Sequence, residues 1–104
     1  MRAFVLLAVL FVQSAQSHAN DLQSWCESIS KLGAAIMSSR QSGVAMSEIM
    51  KQKFFESQKL NNLIEAMTIN AFEEPRYHSE EMQKRSVEDF RNSVYLECTK
   101  ANRQ

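Results

Sequence analysis

Helix-breaking residues are scarce in this 104-residue chain, which holds two glycines, Gly33 and Gly43, and a single proline, Pro75. No stretch alternates apolar and polar residues with the period of two that marks a half-buried strand. With so few breakers, each one tells where a helix ends. The pattern predicts an all-α fold.

Four helices follow from the apolar period. Leu22, Trp25, Cys26, Ile29, Leu32, Gly33, Ile36 and Met37 recur at three- and four-residue steps, placing them on one stripe of a first helix that starts at Asn20 or Asp21. Gly33 lies on that stripe, where a missing side chain lets another helix approach. Gly43, in "RQSGV", can take the left-handed geometry that ends the helix. Ser47 is the expected cap of a short second helix that turns Met46, Ile49, Met50 and Phe54 inward. "ESQKLNN" marks a break without glycine or proline. A third helix buries Leu60, Leu63, Ile64, Met67 and Ala71, while Ile69 and Phe72 fall off that face. Either this helix is covered on two sides or it shows an apolar partner site.

Pro75 stops the third helix, since it disfavours helical geometry at Glu74 and offers no N–H. Ser79 then caps a last helix, with Glu80 and Glu81 near its positive end and Val87, Phe90, Val94, Cys98 and Ala101 facing inward.

The N-terminal "MRAFVLLAVLFVQSAQSHAN" has the order of a secretory signal peptide: one basic residue, an apolar run from Ala3 to Val12, then small and polar residues. A membrane-crossing helix needs roughly 20 apolar residues, about twice this run, so no stable span is expected once the leader is cut. Ser17 and Ala19 place the cut after Ala19, leaving residues 20–104 as a single helical domain in a periplasmic or secreted setting. Without Arg2, eleven basic residues face twelve acidic ones, a net charge of about −1. Nothing in that balance offers a basic stripe to nucleic acid or a polybasic patch to anionic lipid.

Two cysteines remain, Cys26 near the start of the first helix and Cys98 near the end of the last. An even count in a short exported chain reads as a disulfide, and a domain this small gains from such a staple. The pairing requires the first and last helices to be antiparallel neighbours, giving a four-helix domain closed by one disulfide.

Little else carries chemistry. Glu74 and His78 are four residues apart, but Pro75 breaks the helix that would align them as metal ligands, and one histidine with carboxylates is a poor zinc set. Adjacent carboxylates such as Glu73–Glu74, Glu80–Glu81 and Glu88–Asp89 point in different directions on a helix and form a solvated face. There is no phosphate-cradling glycine loop and no Ser-His-Asp set. No enzymatic role, cofactor or metal is expected. Arg40 lies in line with the first stripe, where it can complement the helix dipole, pair with a carboxylate of the last helix, or bind a ligand.

At "RQSGV" (Arg40 to Val44), "EEPRY" (Glu73 to Tyr77) and "DFRNSVYLEC" (Asp89 to Cys98), with Cys26 upstream, the chain resembles a group of small exported, disulfide-containing helical proteins of unassigned function from Gram-negative bacteria and their phages. The resemblance implies a periplasmic setting and supplies no catalytic residues. In plan alone the chain is also similar to periplasmic immunity proteins and to small disulfide-bonded acid-stress chaperones.

The sequence therefore points to a small periplasmic protein-binding domain, of inhibitor or immunity type, acting on a periplasmic or secreted protein. The alternative is a stress chaperone for unfolded clients, against which the few histidines and ordinary acidic content argue. Candidate partner-binding residues are Arg76, Tyr77 and His78 at the tip of the elbow, since arginine and tyrosine often anchor interfaces. A second candidate face lies around Ile69 and Leu96. The competing use of Tyr77 is as a lid folded back over the end of the core.

Overall fold

The computed structural model describes the backbone of residues 2–52 and 56–102, with side chains from Asp21 onward within those ranges. Four helices follow one another, and no strand occurs among the described residues: α1 (Arg2–Gln41), α2 (Met46–Lys51), α3 (Gln58–Glu73) and α4 (Glu80–Ala101). Cys26 and Cys98 form a disulfide between α1 and α4, with Cα atoms 5.6 Å apart. The first and last helices are antiparallel neighbours, as the cysteine positions require.

The helix ends show which local signals prevailed. In the full chain α1 begins at Arg2, not at Asn20 or Asp21, because nothing between the apolar leader and Asp21 breaks a helix. It ends in a Schellman motif: the Val44 N–H donates to the Ser39 carbonyl at 3.0 Å, and the Gly43 N–H to the Arg40 carbonyl at 3.1 Å. Gly43 has a φ of 91°, the left-handed geometry expected of it. Ser47 does not cap α2. The cap position is Ala45, with no side-chain bond, and Ser47 lies inside the first turn. Of the residues expected inward on α2, Ile49 is buried, Met50 is exposed, and Phe54 lies outside the described residues. The polar break "ESQKLNN" contains its own cap, since the Ser57 hydroxyl accepts from the Leu60 N–H. Glu74, before the proline, is extended at φ −79° and ψ 145°, and the Ser79 hydroxyl accepts from the Met82 N–H at 3.2 Å to open α4.

The long helices share one core built on α1. Ile29, Ile36 and Met37 of α1 pack with Ile64, Met67 and Ala71 of α3, and Val87, Phe90 and Val94 of α4 lean against them. α1 runs parallel to α3 and antiparallel to α4, and its C-terminal half, from Cys26 to Gln41, packs against them. α3 and α4 scarcely touch each other. The consequence shows in burial. No residue of α4 is fully buried, Ala101 is exposed instead of inward, and Trp25 is 43% exposed although it lies on the predicted stripe. A helix in a closed bundle buries its apolar stripe between two neighbours. Here, among the described residues, α4 packs closely along one neighbour, α1.

Gly33 sits at the crossing of the three long helices. A Cβ placed there would lie 2.9 Å from Val94 Cγ2 and 3.4 Å from Met67 Sδ, so the bare backbone is what lets α4 approach α1. Mid-helix glycine costs about 1 kcal/mol relative to alanine, and the close crossing offsets that cost. Replacing Gly33 with leucine should lower stability by about 1–3 kcal/mol through overpacking. In a urea-denaturation double-mutant cycle, Val94→Ala should cost less beside Gly33→Ala than in the parent chain. An unchanged midpoint in Gly33→Leu would contradict the crossing.

Candidate functional site

The stretch "FEEPRYHSEE" forms an elbow clasped onto the C-terminal end of α1. Its centre is Gln41, whose side chain is almost wholly buried. The Gln41 Nε2 donates to the Pro75 carbonyl at 2.9 Å and to the Ser86 hydroxyl at 3.3 Å, while its Oε1 accepts from the Tyr77 N–H at 2.8 Å. One amide thus grips the backbone on both sides of Arg76. Arg76 grips back, its Nε donating to the Gln41 carbonyl at 3.1 Å, one of the acceptors a helix end leaves open. Its guanidinium lies over Gly43, where a Cβ would come within 2.8 Å of Nη2. Gln83 completes the clasp by donating to the Tyr77 carbonyl at 2.8 Å.

Among the described residues Arg40 has no carboxylate partner on α4. It donates through Nε and Nη2 to the Glu74 carbonyl at 3.3 and 3.2 Å, and its guanidinium sits 4.9 Å from the centre of the Phe72 ring. Phe72, which falls off the predicted α3 face, packs against the core and carries this α1 cation on its ring.

The elbow residues singled out in the sequence do not form one free tip. Arg76 is engaged with α1, Tyr77 is half-buried facing the space between α3 and α4, and His78 is exposed. Glu74 and His78 lie on either side of the turn, not on one helix. Ile69 and Leu96 are 42% and 53% exposed, on different helices. Among the described residues no group of three or more histidines, cysteines or carboxylates could hold a metal.

The larger feature is the gap that α3 and α4 leave. It is a groove of about 1040 Å³. Trp25, Ile29 and Met37 of α1 contribute its floor, Leu63, Ala66 and Met67 one wall, and Phe90 and Val94 the other. Tyr77 lines it at the elbow end, and Cys98 at the disulfide end. The charges along it are one-sided: Glu73, Glu74, Asp89 and Glu97 against a single amine, Lys59. Glu97 also reaches Lys100 at 3.8 Å, whereas Glu73 and Asp89 make no ion pair among the described residues. The ion pair that does bridge α1 and α4, Arg91 with Glu27 at 3.1 Å, does not line this groove. The groove thus combines an apolar floor, walls from two helices and an acidic rim.

Sequence reasoning missed Gln41 and the openness of the groove. Gln41 is one turn beyond Met37, so it continues the buried stripe, and its polarity concealed that. The opening had a weaker signal in α4, where four spaced apolar residues, Val87, Phe90, Val94 and Leu96, are all that 22 residues carry besides Met82, Tyr95, Cys98 and Ala101. No protein-family model matches the chain, and no curated protein or solved structure shows significant similarity to it.

Gln41→Leu keeps the volume near constant but leaves the Tyr77 N–H and the Pro75 carbonyl without that partner. It should cost about 1–3 kcal/mol in chemical denaturation, the penalty for a buried polar group left unpaired. Arg76→Ala, which exposes its acceptor to water, should cost less. Equal stability of Gln41→Leu and the parent would contradict the clasp.

Proposed function

We propose that this chain is an exported protein-binding module of inhibitor or immunity type, and that its binding face is the groove between α3 and α4. The observation that carries the proposal is the open groove itself: three long helices surround a core that lacks cover on one side. Apolar area of that kind, rimmed by polar groups, marks a place where another surface docks. The groove is also held ready. The elbow ties one end of α4 to α1, the disulfide ties the other, and the Gly33 crossing holds the middle, so little ordering entropy remains to be lost on binding. The mechanism is steric: a stapled bundle occupies a segment of its partner and withholds it.

Several features support the exported setting. The leader pattern, the closed disulfide and the resemblance to exported helical proteins agree with it. The elbow tip is a weaker binding face than the groove, because the Arg76 Nε is already held by the Gln41 carbonyl of α1.

The test is photo-crosslinking in the native compartment from probes placed one at a time at Ala66, Ser93, His78 and Ile69. Ala66 and Ser93 line the groove and are exposed, so a probe should be tolerated there. The expected result is one discrete adduct from Ala66 and Ser93 that is absent from Ile69. An adduct from His78 and Ile69 alone would move the binding face away from the groove. A ladder of many adducts would favour the chaperone reading.

A further inference from the structure

Building on the groove as the binding face, we propose that its occupant is a cationic amphipathic α-helix of the partner, lying between α3 and α4 as the fourth long member of the bundle. Three observations bear on this. The first is architectural. α1, α3 and α4 occupy three corners of a four-helix bundle, and α2, at six residues, is too short to be the fourth. α2 packs with α3, and Ile49 and Met50 line a separate, smaller cavity with Ile64 and Thr68, so α2 does not fill the groove.

The second is shape. α3 has 16 residues and is therefore ~24 Å long, and an incoming helix of similar length would meet apolar side chains on three helices. The volume of about 1040 Å³ lies at the upper edge of the ~300–1,000 Å³ range of small-molecule sites, and it is spread along the helices instead of being enclosed. A helix laying an apolar face with i, i+3, i+4, i+7 spacing into such a groove is an established recognition mode. Trp25 is a large, partly exposed anchor for such a helix.

The third is charge. Glu73, Glu74, Asp89 and Glu97 border the groove with only Lys59 to oppose them, so lysines or arginines flanking the apolar face of a helix would meet carboxylates on both walls. An acidic helix would meet like charge there. The rim selects the sign of the partner, and the apolar floor supplies the affinity.

Trp25 is the only tryptophan of the chain and lines the groove, which makes its fluorescence a direct reporter. The experiment titrates the disulfide-intact protein with two tryptophan-free 16-residue amphipathic peptides that share one leucine face, their polar positions being lysine in one and glutamate in the other. The lysine peptide should shift Trp25 emission and bind about tenfold or more tighter than the glutamate peptide, each exposed ion pair being worth up to about fivefold. The preference should shrink as salt is raised. Asp89→Asn combined with Glu97→Gln should weaken the lysine peptide by several fold and leave the glutamate peptide no weaker. Ala66→Lys, an exposed change to another good helix former, should abolish binding without altering the melting temperature. Equal binding of both peptides overturns the charge inference while leaving the groove as the docking face. Binding of neither, alongside groove adducts in the crosslinking experiment, overturns the helical occupant alone. Absence of both groove adducts and peptide binding overturns the groove reading with it. Self-association lost in Ala66→Lys would assign the groove to a second copy and overturn the proposal.

Discussion

The side-chain amide of Gln41 donates to the Pro75 carbonyl and accepts from the Tyr77 N–H, and the direction in which α4 leaves the elbow follows from that pair. Proline stops α3 and serine starts α4, but neither says where the second helix points. Gln41 does so because it is buried, and a buried amide must keep its partners. Its position at the last turn of α1 makes the end of one helix the template for the turn between two others. Arg40 of α1 and Arg76 of the elbow extend the clasp in opposite directions, Arg40 donating to the Glu74 carbonyl and Arg76 to the Gln41 carbonyl.

With that end set, the other constraints act in sequence along α4. The Gly33 crossing brings its middle onto α1, and the disulfide pins its C-terminal end. Closing a loop of 72 residues restricts the unfolded chain by about 4 kcal/mol on the loop-entropy model, a large contribution for a domain whose last helix has no fully buried residue. The staple compensates for core that α3 and α4 do not build between them. In this view the open groove and the disulfide are two sides of one arrangement: apolar surface is kept available, and covalent closure supplies the stability that burying it would have given.

Much of the architecture was visible in the residues. The three-four spacing of Leu22 to Met37, the stop at Pro75, the cap at Ser79 and the cysteines near the two ends determine the helices and the neighbour relation of α1 and α4. What escaped depends on long-range geometry. Ser47 looks like a cap, but the chain enters α2 two residues earlier, at Ala45. Trp25 and Ala101 lie on inward stripes yet stay exposed, because periodicity tells which face turns toward a neighbour and not whether that neighbour exists. Arg76 and Tyr77 have the chemistry of an interface anchor, and an anchor within the fold uses the same chemistry. The candidate site is therefore the least legible part: its floor residues were all identified as core, and only the separation of α3 from α4 turns them into a surface.

The central claim is that α3 and α4 stand apart in the free protein, held so by α1. Pulsed electron-spin resonance on the disulfide-intact chain tests it most directly, with labels carried by non-cysteine residues introduced at the exposed positions Ile69 of α3 and Leu96 of α4. The account predicts a single narrow distance distribution in the absence of any partner, matching the separation in the structure, and a broadened one in Gln41→Leu. A parent distribution that is already broad, or one centred on the ~8–10 Å interaxial spacing of directly packed helices once label length is allowed for, would contradict it.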